Sequence, residues 1–257
     1  MKKHFYAVMF LAVMVLLPML QLEAQDVKQN EQLWFCWEET VKPEMIDEYL
    51  ELSKEVMLLC KEENHPYPIY TWNQSPMVFE YWSPLNSLAE IDSISTAFEK
   101  IFKKLGEEKF EALNRNKLHN YSKTITILSE LAYMPEDPEL TDDERIYGRW
   151  IEIYLKTGKQ KEFMEAVKWI NEQRAAYGIQ EYLGFSIGGI GYQSPSYQVY
   201  YSHVSKEALN NYYDSTPEAY KKKFEEYLKK IRKLMIKPPT ISDYYLLWDL
   251  SYTPTSQ

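Results

Sequence analysis

Two parts of this chain repeat each other in the same order, and no other feature constrains its fold as strongly. Gln74-Ser75-Pro76 precedes the apolar run MVFEYW, and Gln193-Ser194-Pro195 precedes SYQVYY, 119 residues later. LWFCWEETVK (33–42) aligns with WIEIYLKTGK (150–159) at an offset of 117, and Ser95-Thr96 with Ser215-Thr216 at 120. ELAYMP (130–135) aligns with DLSYTP (249–254) at 119. A tripeptide recurs by chance, but a collinear set of matched landmarks indicates an internal duplication.

Each copy parses alike. Residues 33–41 and 150–157 are rich in β-favouring residues and read as first strands. Pro43 suits a first helical turn, and Met45, Tyr49, Leu52, Val56 and Leu59 form an apolar stripe behind it. The matching helix runs from about 160 through Phe163, Val167 and Ile170, with Gly178 as its stop. Strands 68–73 with 77–82, and 182–190 with 197–203, flank the two QSP turns. A helical region follows each hairpin, capped by Thr96 with Glu99 in the first copy and by Thr216 before Pro217 in the second. Closing strands are expected at 124–133 and 243–252. The order β-α-β-β-α-β is the ferredoxin-like motif. Residues 33–135 and 149–254 are therefore two repeats joined by an acidic linker at 136–148. The linker lacks the ligand spacing and turn glycine of a calcium loop.

A sheet with both helices on one face leaves the other bare, and the second copy is its natural cover. The expected fold is α+β: two tandem ferredoxin-like repeats packed sheet to sheet as a pseudodimeric α/β barrel. TVKPEMIDEYLELSKEV (40–56) and LKTGKQKEFMEAVKWI (155–170) resemble the strand–turn–helix passage of the dimeric α/β-barrel superfamily. That superfamily includes antibiotic-biosynthesis-monooxygenase-like and NIPSNAP-like proteins. The resemblance spans both copies and speaks to fold more than chemistry; Glu44-Met45 stand where the family often has glycine and lysine. It implies a cofactor-independent oxygenase or isomerase as one function. No cofactor is expected; haem is the alternative, since some relatives hold it through a helix histidine, a role that would fall to His119.

The opening MKKHFYAVMFLAVMVLLPMLQLEAQ has the basic, apolar and small-residue parts of a signal peptide, read as 1–24, with a short tail at 25–32. Its apolar run is shorter than the roughly 20 residues of a membrane span. The protein is thus expected to be exported, periplasmic or secreted, with no stable span once the leader is removed. The chain carries a net charge of −9, which disfavours phosphate backbones. Its one dense basic stretch, Lys221 to Lys233, interleaves apolar residues at helical spacing and reads as a solvated helix face. Nucleic acid is therefore excluded as a partner. Two cysteines, Cys36 and Cys60, are too few for a zinc motif, and no metal site is expected.

Strand alternation assigns faces. Ile151, Ile153 and Leu155 are aliphatic and belong under the helices, which turns Trp150, Glu152 and Tyr154 inward. At the offset of 117, Phe35 and Trp37 also turn inward, while Cys36 joins Cys60 under the helices. The candidate ligand-binding residues are Trp37, Trp82, Trp150, Tyr154 and Tyr201, as walls of an aromatic pocket or as plain core. Glu152 and His203 are the candidate proton carriers, with Glu80 and Asp249 as further strand carboxylates. The glycine-rich GFSIGGIG (184–191) lacks phosphate-loop spacing and reads as a strand beside which a cavity opens. The expected function is extracytoplasmic binding of a small apolar or aromatic molecule. The alternatives are the oxygenase or isomerase, and a fully packed structural or interaction protein.

Overall fold

The computed structural model describes residues 31–135, 140–141, 144–193 and 195–254. The expected leader, all but the end of the tail, much of the acidic linker and Ser194 lie outside them. The first half runs β1 (Glu31–Val41), a 3-10 turn (Pro43–Met45), α1 (Ile46–Glu62), β2 (Tyr70–Ser75), β3 (Val78–Leu85), α2 (Glu90–Leu105), α3 (Glu107–Arg115) and β4 (Lys117–Leu128). The second runs β5 (Tyr147–Tyr154), α4 (Gln160–Ala176), β6 (Leu183–Gly188), β7 (Ser196–His203), α5 (Lys206–Ser215), α6 (Glu218–Leu234) and β8 (Thr240–Leu246).

The eight strands close into one barrel in the order β1-β3-β2-β8-β5-β7-β6-β4. The halves therefore do not stack as two separate sheets. They join edge to edge, β2 on β8 and β4 on β6, so that closure uses up every strand edge. Short bridges extend both seams: Ile69 pairs with Tyr252, and Tyr133 with Leu183. At the β4–β6 seam Gly189 donates its N–H to the Thr124 carbonyl at 2.9 Å. A Cβ on Gly189 would collide with the Thr124 hydroxyl, so this glycine is what lets the backbones approach.

Helices cover the outside of the barrel. In α1, Tyr49, Leu52, Val56 and Cys60 are buried; in α4, Phe163, Ala166, Val167 and Ile170 are. Each half thus has its own helix-side core, and a third cluster fills part of the lumen. Burying each large apolar side chain contributes about 1.5–3 kcal/mol.

Hydrogen bonds show how the halves correspond. Val41 N–H donates to Met77 O (2.7 Å) and Leu155 N–H to Pro195 O (3.0 Å); Lys42 N–H donates to Asn116 O (2.9 Å) and Lys156 N–H to Leu234 O (2.8 Å). Val41 therefore matches Leu155 and Cys36 matches Trp150, an offset of 114 rather than 117. The error of three is odd, and an odd slip exchanges the faces of a strand. The second half keeps its expected faces: Ile151, Ile153 and Leu155 lie on the helix side. In the first half the faces reverse. Trp34 and Cys36 join the lumen cluster, while Phe35 and Trp37 pack toward the helices. Cys36 and Cys60 are free and lie in different cores, on opposite faces of the sheet. Burial pushes both thiols up, Cys60 to about 12.

Two caps also differ from expectation. Thr96 lies inside α2 with its hydroxyl donating to Asp92 O (2.9 Å), because Glu90 already takes the Asn86 N–H (2.7 Å) at the start of the helix. Thr216 ends α5, donating to Tyr213 O (2.7 Å), and the side-chain cap in this region is Ser205, which accepts from Ala208 N–H. Gln74 and Ser75 finish β2 before a tight turn, whereas β6 and β7 are separated by the longer stretch 189–195.

Candidate functional site

Side chains on the inner barrel face divide the lumen into two chambers. The first is an apolar cup of about 330 Å³, walled by Trp34, Tyr70, Trp72, Trp82, Trp150 and Tyr200. Trp150 is central: it stacks on Tyr200 (5.5 Å between centroids), lies 5.8 Å from Trp82 and meets Tyr244 edge-on at 6.3 Å. Gly184 makes this possible. It faces Tyr200 across the β6–β7 ladder, and a Cβ there would land inside the Tyr200 ring. The glycine strand thus admits a ring that builds the cup wall. Arg145 and Arg149 stand at the cup margin. Arg149 donates to Asp243 at 3.0 Å; burial opposes ionisation of Asp243, but Lys206, Tyr147 and Arg149 hold it down at about 2.

Among the described residues, Glu80 is the one carboxylate lining the cup. One oxygen accepts from Trp82 Nε1 (2.9 Å), the other from Lys123 Nζ (2.6 Å) and Tyr244 Oη (3.1 Å). Burial pushes this carboxyl up, with Lys123 pulling the other way. For Lys123, burial favours the neutral amine, yet the Glu80 charge wins and holds it protonated. Lys123 also reaches Glu38 at 3.1 Å.

Beyond this pair lies a second chamber of about 270 Å³, with Glu38, Lys123, Glu152, Tyr154, Tyr192 and Ser242 in its wall. Trp150 and Tyr244 line both chambers. Burial and neighbouring Glu152 raise the Tyr154 phenol, and Lys237 Nζ sits 3.5 Å from its ring centroid. A third cavity of about 450 Å³ lies in the first half between sheet and helices, where Phe35, Trp37, Phe98, Phe102 and Phe110 surround it and Lys117 pairs with Glu39 at 2.6 Å.

The candidate residues are therefore distributed, not gathered. Trp82 and Trp150 wall the cup. Tyr201 belongs to the same strand wall, but its ring packs edge-on against Tyr213 at 5.8 Å. Glu152 and Tyr154 lie in the polar chamber. Trp37 lies in the outer cavity, T-shaped on Phe98 at 5.5 Å, which corrects its inward assignment. His203 ends β7 beside Tyr212, with Nδ1 accepting from Val204 N–H at 2.9 Å, and it lines neither lumen chamber. Asp249 pairs with Lys54 at the surface (2.8 Å). Sequence reasoning missed Lys123, Tyr200 and Tyr244. The alternation of Glu80 and Trp82 on one strand face was a readable signal for the cup lining; nothing local marks Lys123.

No protein-family model matches the sequence, and no curated protein matches it. Solved structures do. A protein of Fusobacterium nucleatum provisionally named a monooxygenase is 12% identical, with a TM-score of 0.55 over 85% of this chain and 94% of its own. An anthrone oxidase-like protein is 11% identical, with a TM-score of 0.54 over 86% and 93%. This chain shares the fold of both proteins. A chlorite dismutase of Candidatus Nitrospira defluvii, 10% identical, matches with a TM-score of 0.50 over 84% and 92%.

These likenesses are of fold, and they correct one expectation. The matched structures include chlorite dismutases, one of them in complex with cyanide. Against neighbours of this kind the expectation of no cofactor does not stand. The described histidines do not fit a histidine-held haem. His119 lies on β4, not on a helix, bonded to Thr40 (3.2 Å); His65 is buried against Phe98; and none of His65, His119 and His203 lines the cup, the polar chamber or the outer cavity.

Proposed function

We propose that this chain is an oxygenase-like protein that takes a planar aromatic substrate into the ring-walled cup of its barrel. The observation that carries this reading is a cavity walled by aromatic faces with one buried carboxylate, Glu80, among its described lining residues. Flat rings offset-stack on a flat guest and exclude water from it. Burial pushes the Glu80 carboxyl up, which makes it a stronger proton acceptor than an ordinary carboxylate toward a guest in the cup. The fold kinship with monooxygenase-like and anthrone oxidase-like proteins supports oxygen chemistry over simple binding.

Two further parts of the reading rest on the sequence. The leader at 1–24 supports export, and the collinear landmarks, with the matched hydrogen bonds of Val41 and Leu155, support descent of the halves from one duplicated ferredoxin-like unit. Segments 40–56 and 155–170 support a NIPSNAP-like branch of the superfamily.

The test is titration with naphthalene, followed by tryptophan fluorescence. Trp150→Ala should weaken binding at least tenfold, about 1.4 kcal/mol, while Trp37→Ala in the outer cavity leaves it unchanged. The reverse pattern overturns the cup as the site. Oxygen uptake with hydroxylated naphthalenes then separates turnover from binding alone, and tight binding with no uptake would make small-molecule binding the function.

A further inference from the structure

The two chambers meet at one buried chain of charged groups, and the placement of that chain has a chemical consequence. Glu80 is 2% exposed and lines only the cup; Lys123 lines only the polar chamber. Lys123 Nζ stands 2.6 Å from Glu80 Oε1 and 3.1 Å from Glu38 Oε2, and the Glu38 side chain retains 22% exposure at the polar end. β1 and β3 pair Glu38 directly with Glu80, so both carboxylates are held in one rung of the ladder with the ammonium spanning them. On the cup side, by contrast, the surroundings of Glu80 are rings, and a bound aromatic substrate covers them.

We propose that Lys123 and Glu38 form the proton outlet of the cup, connecting Glu80 to solvent at the opposite end of the barrel from the substrate. The inference rests on the cup being the substrate site. Lys123 gives one proton to Glu38 Oε2 and takes one from Glu80 Oε1. One O–H bond breaks, one forms, and the lysine ends as the ammonium it began as. Glu38 then loses the proton to the polar chamber. No electrons move and no co-reactant is consumed. Lys123 and Glu38 are positioning and relay residues; only Glu80 touches the cup. The groups that face this chain are Cys36 on β1, Trp82 on β3, Tyr192 from the β6–β7 connection and Tyr244 on β8. Trp82 and Tyr244 bond Glu80 but not Glu38, whereas Lys123 stands within hydrogen-bond distance of both carboxylates, which makes the lysine the link between them.

The experiment fills the cup with naphthalene, which has no titratable group, and confirms filling by tryptophan quenching. Proton exchange at Glu80 is then followed across a pH series by NMR of ¹³C-carboxyl glutamate in the intact chain. The Glu80 resonance is assigned by its loss in Glu80→Gln. In the wild-type chain Glu80 should keep exchanging with the cup filled. Glu38→Gln should slow exchange at least tenfold, and Glu38→Asp should restore it, which a merely structural role would not produce. Exchange that stops in the wild type once the cup is filled overturns the outlet, as does an unchanged rate in Glu38→Gln. Quenching with either of those results sinks the outlet alone. Absence of quenching sinks the cup as the site, and the outlet with it.

Discussion

His65 shows what burial does to one side chain. Its ring lies against Phe98 at 4.6 Å, it is 1% exposed, and neither ring nitrogen has a hydrogen-bond partner among the described residues. Burial therefore lowers its pKa from 6.5 to about 4. The folded chain holds the imidazole neutral, whereas the unfolded chain protonates it below about 6.5. The contribution to stability is complete above that pH and is lost as pH falls toward 4, on the order of 3 kcal/mol in all. Urea denaturation at pH 7 and pH 4 should show His65→Phe losing less stability than the wild type by about that amount. An equal loss in both chains would place the acid sensitivity elsewhere. Glu80, one pleat from Trp82, stood on the right strand in the sequence. Its partner Lys123, in the ordinary strand SKTITIL, carried no local sign because their contact joins strands that are not neighbours in the barrel.

At the scale of the element, Gly184 is the clearest case. A glycine in a strand signals close approach, and the sequence supported a cavity beside it. The approaching group is the ring of Tyr200, which fills that space and stacks on Trp150. Gly184→Ala should push the ring aside at a cost of about 1–3 kcal/mol, as overpacking does. Naphthalene binding should weaken with it. Near-wild-type stability together with undiminished binding would show that Tyr200 has free room to turn. Strand and helix identities were legible because hydrophobic period is local: the α1 stripe and the β3 alternation appear within a few residues of sequence. Phase was less legible. Aligning 33–42 with 150–159 by likeness of letters missed the backbone correspondence by three residues, and that odd number was enough to turn Trp37 to the wrong face.

For the whole molecule, the seams decide how the chain folds. Each half ends in strands whose partners belong to the other half, β2 with β8 and β4 with β6. Neither half alone covers its edges or the aromatic lumen. Residues 31–135 and 140–257, expressed separately, should self-associate on size exclusion, and equimolar mixing should restore the tryptophan spectrum of the full chain. A monomeric 31–135 fragment with the full chain's melting temperature would show instead that the half is the folding unit. The sequence by itself determined the elements, their repeated order and a surplus of aromatic rings on strands, since each of these follows from spacing along one segment. Only the tertiary structure decided which rings face one another, where the barrel closes and which carboxylate is buried beside a lysine. A strand's alternation is the same whichever way it is turned, and its facing is set by what packs against it from elsewhere in the chain.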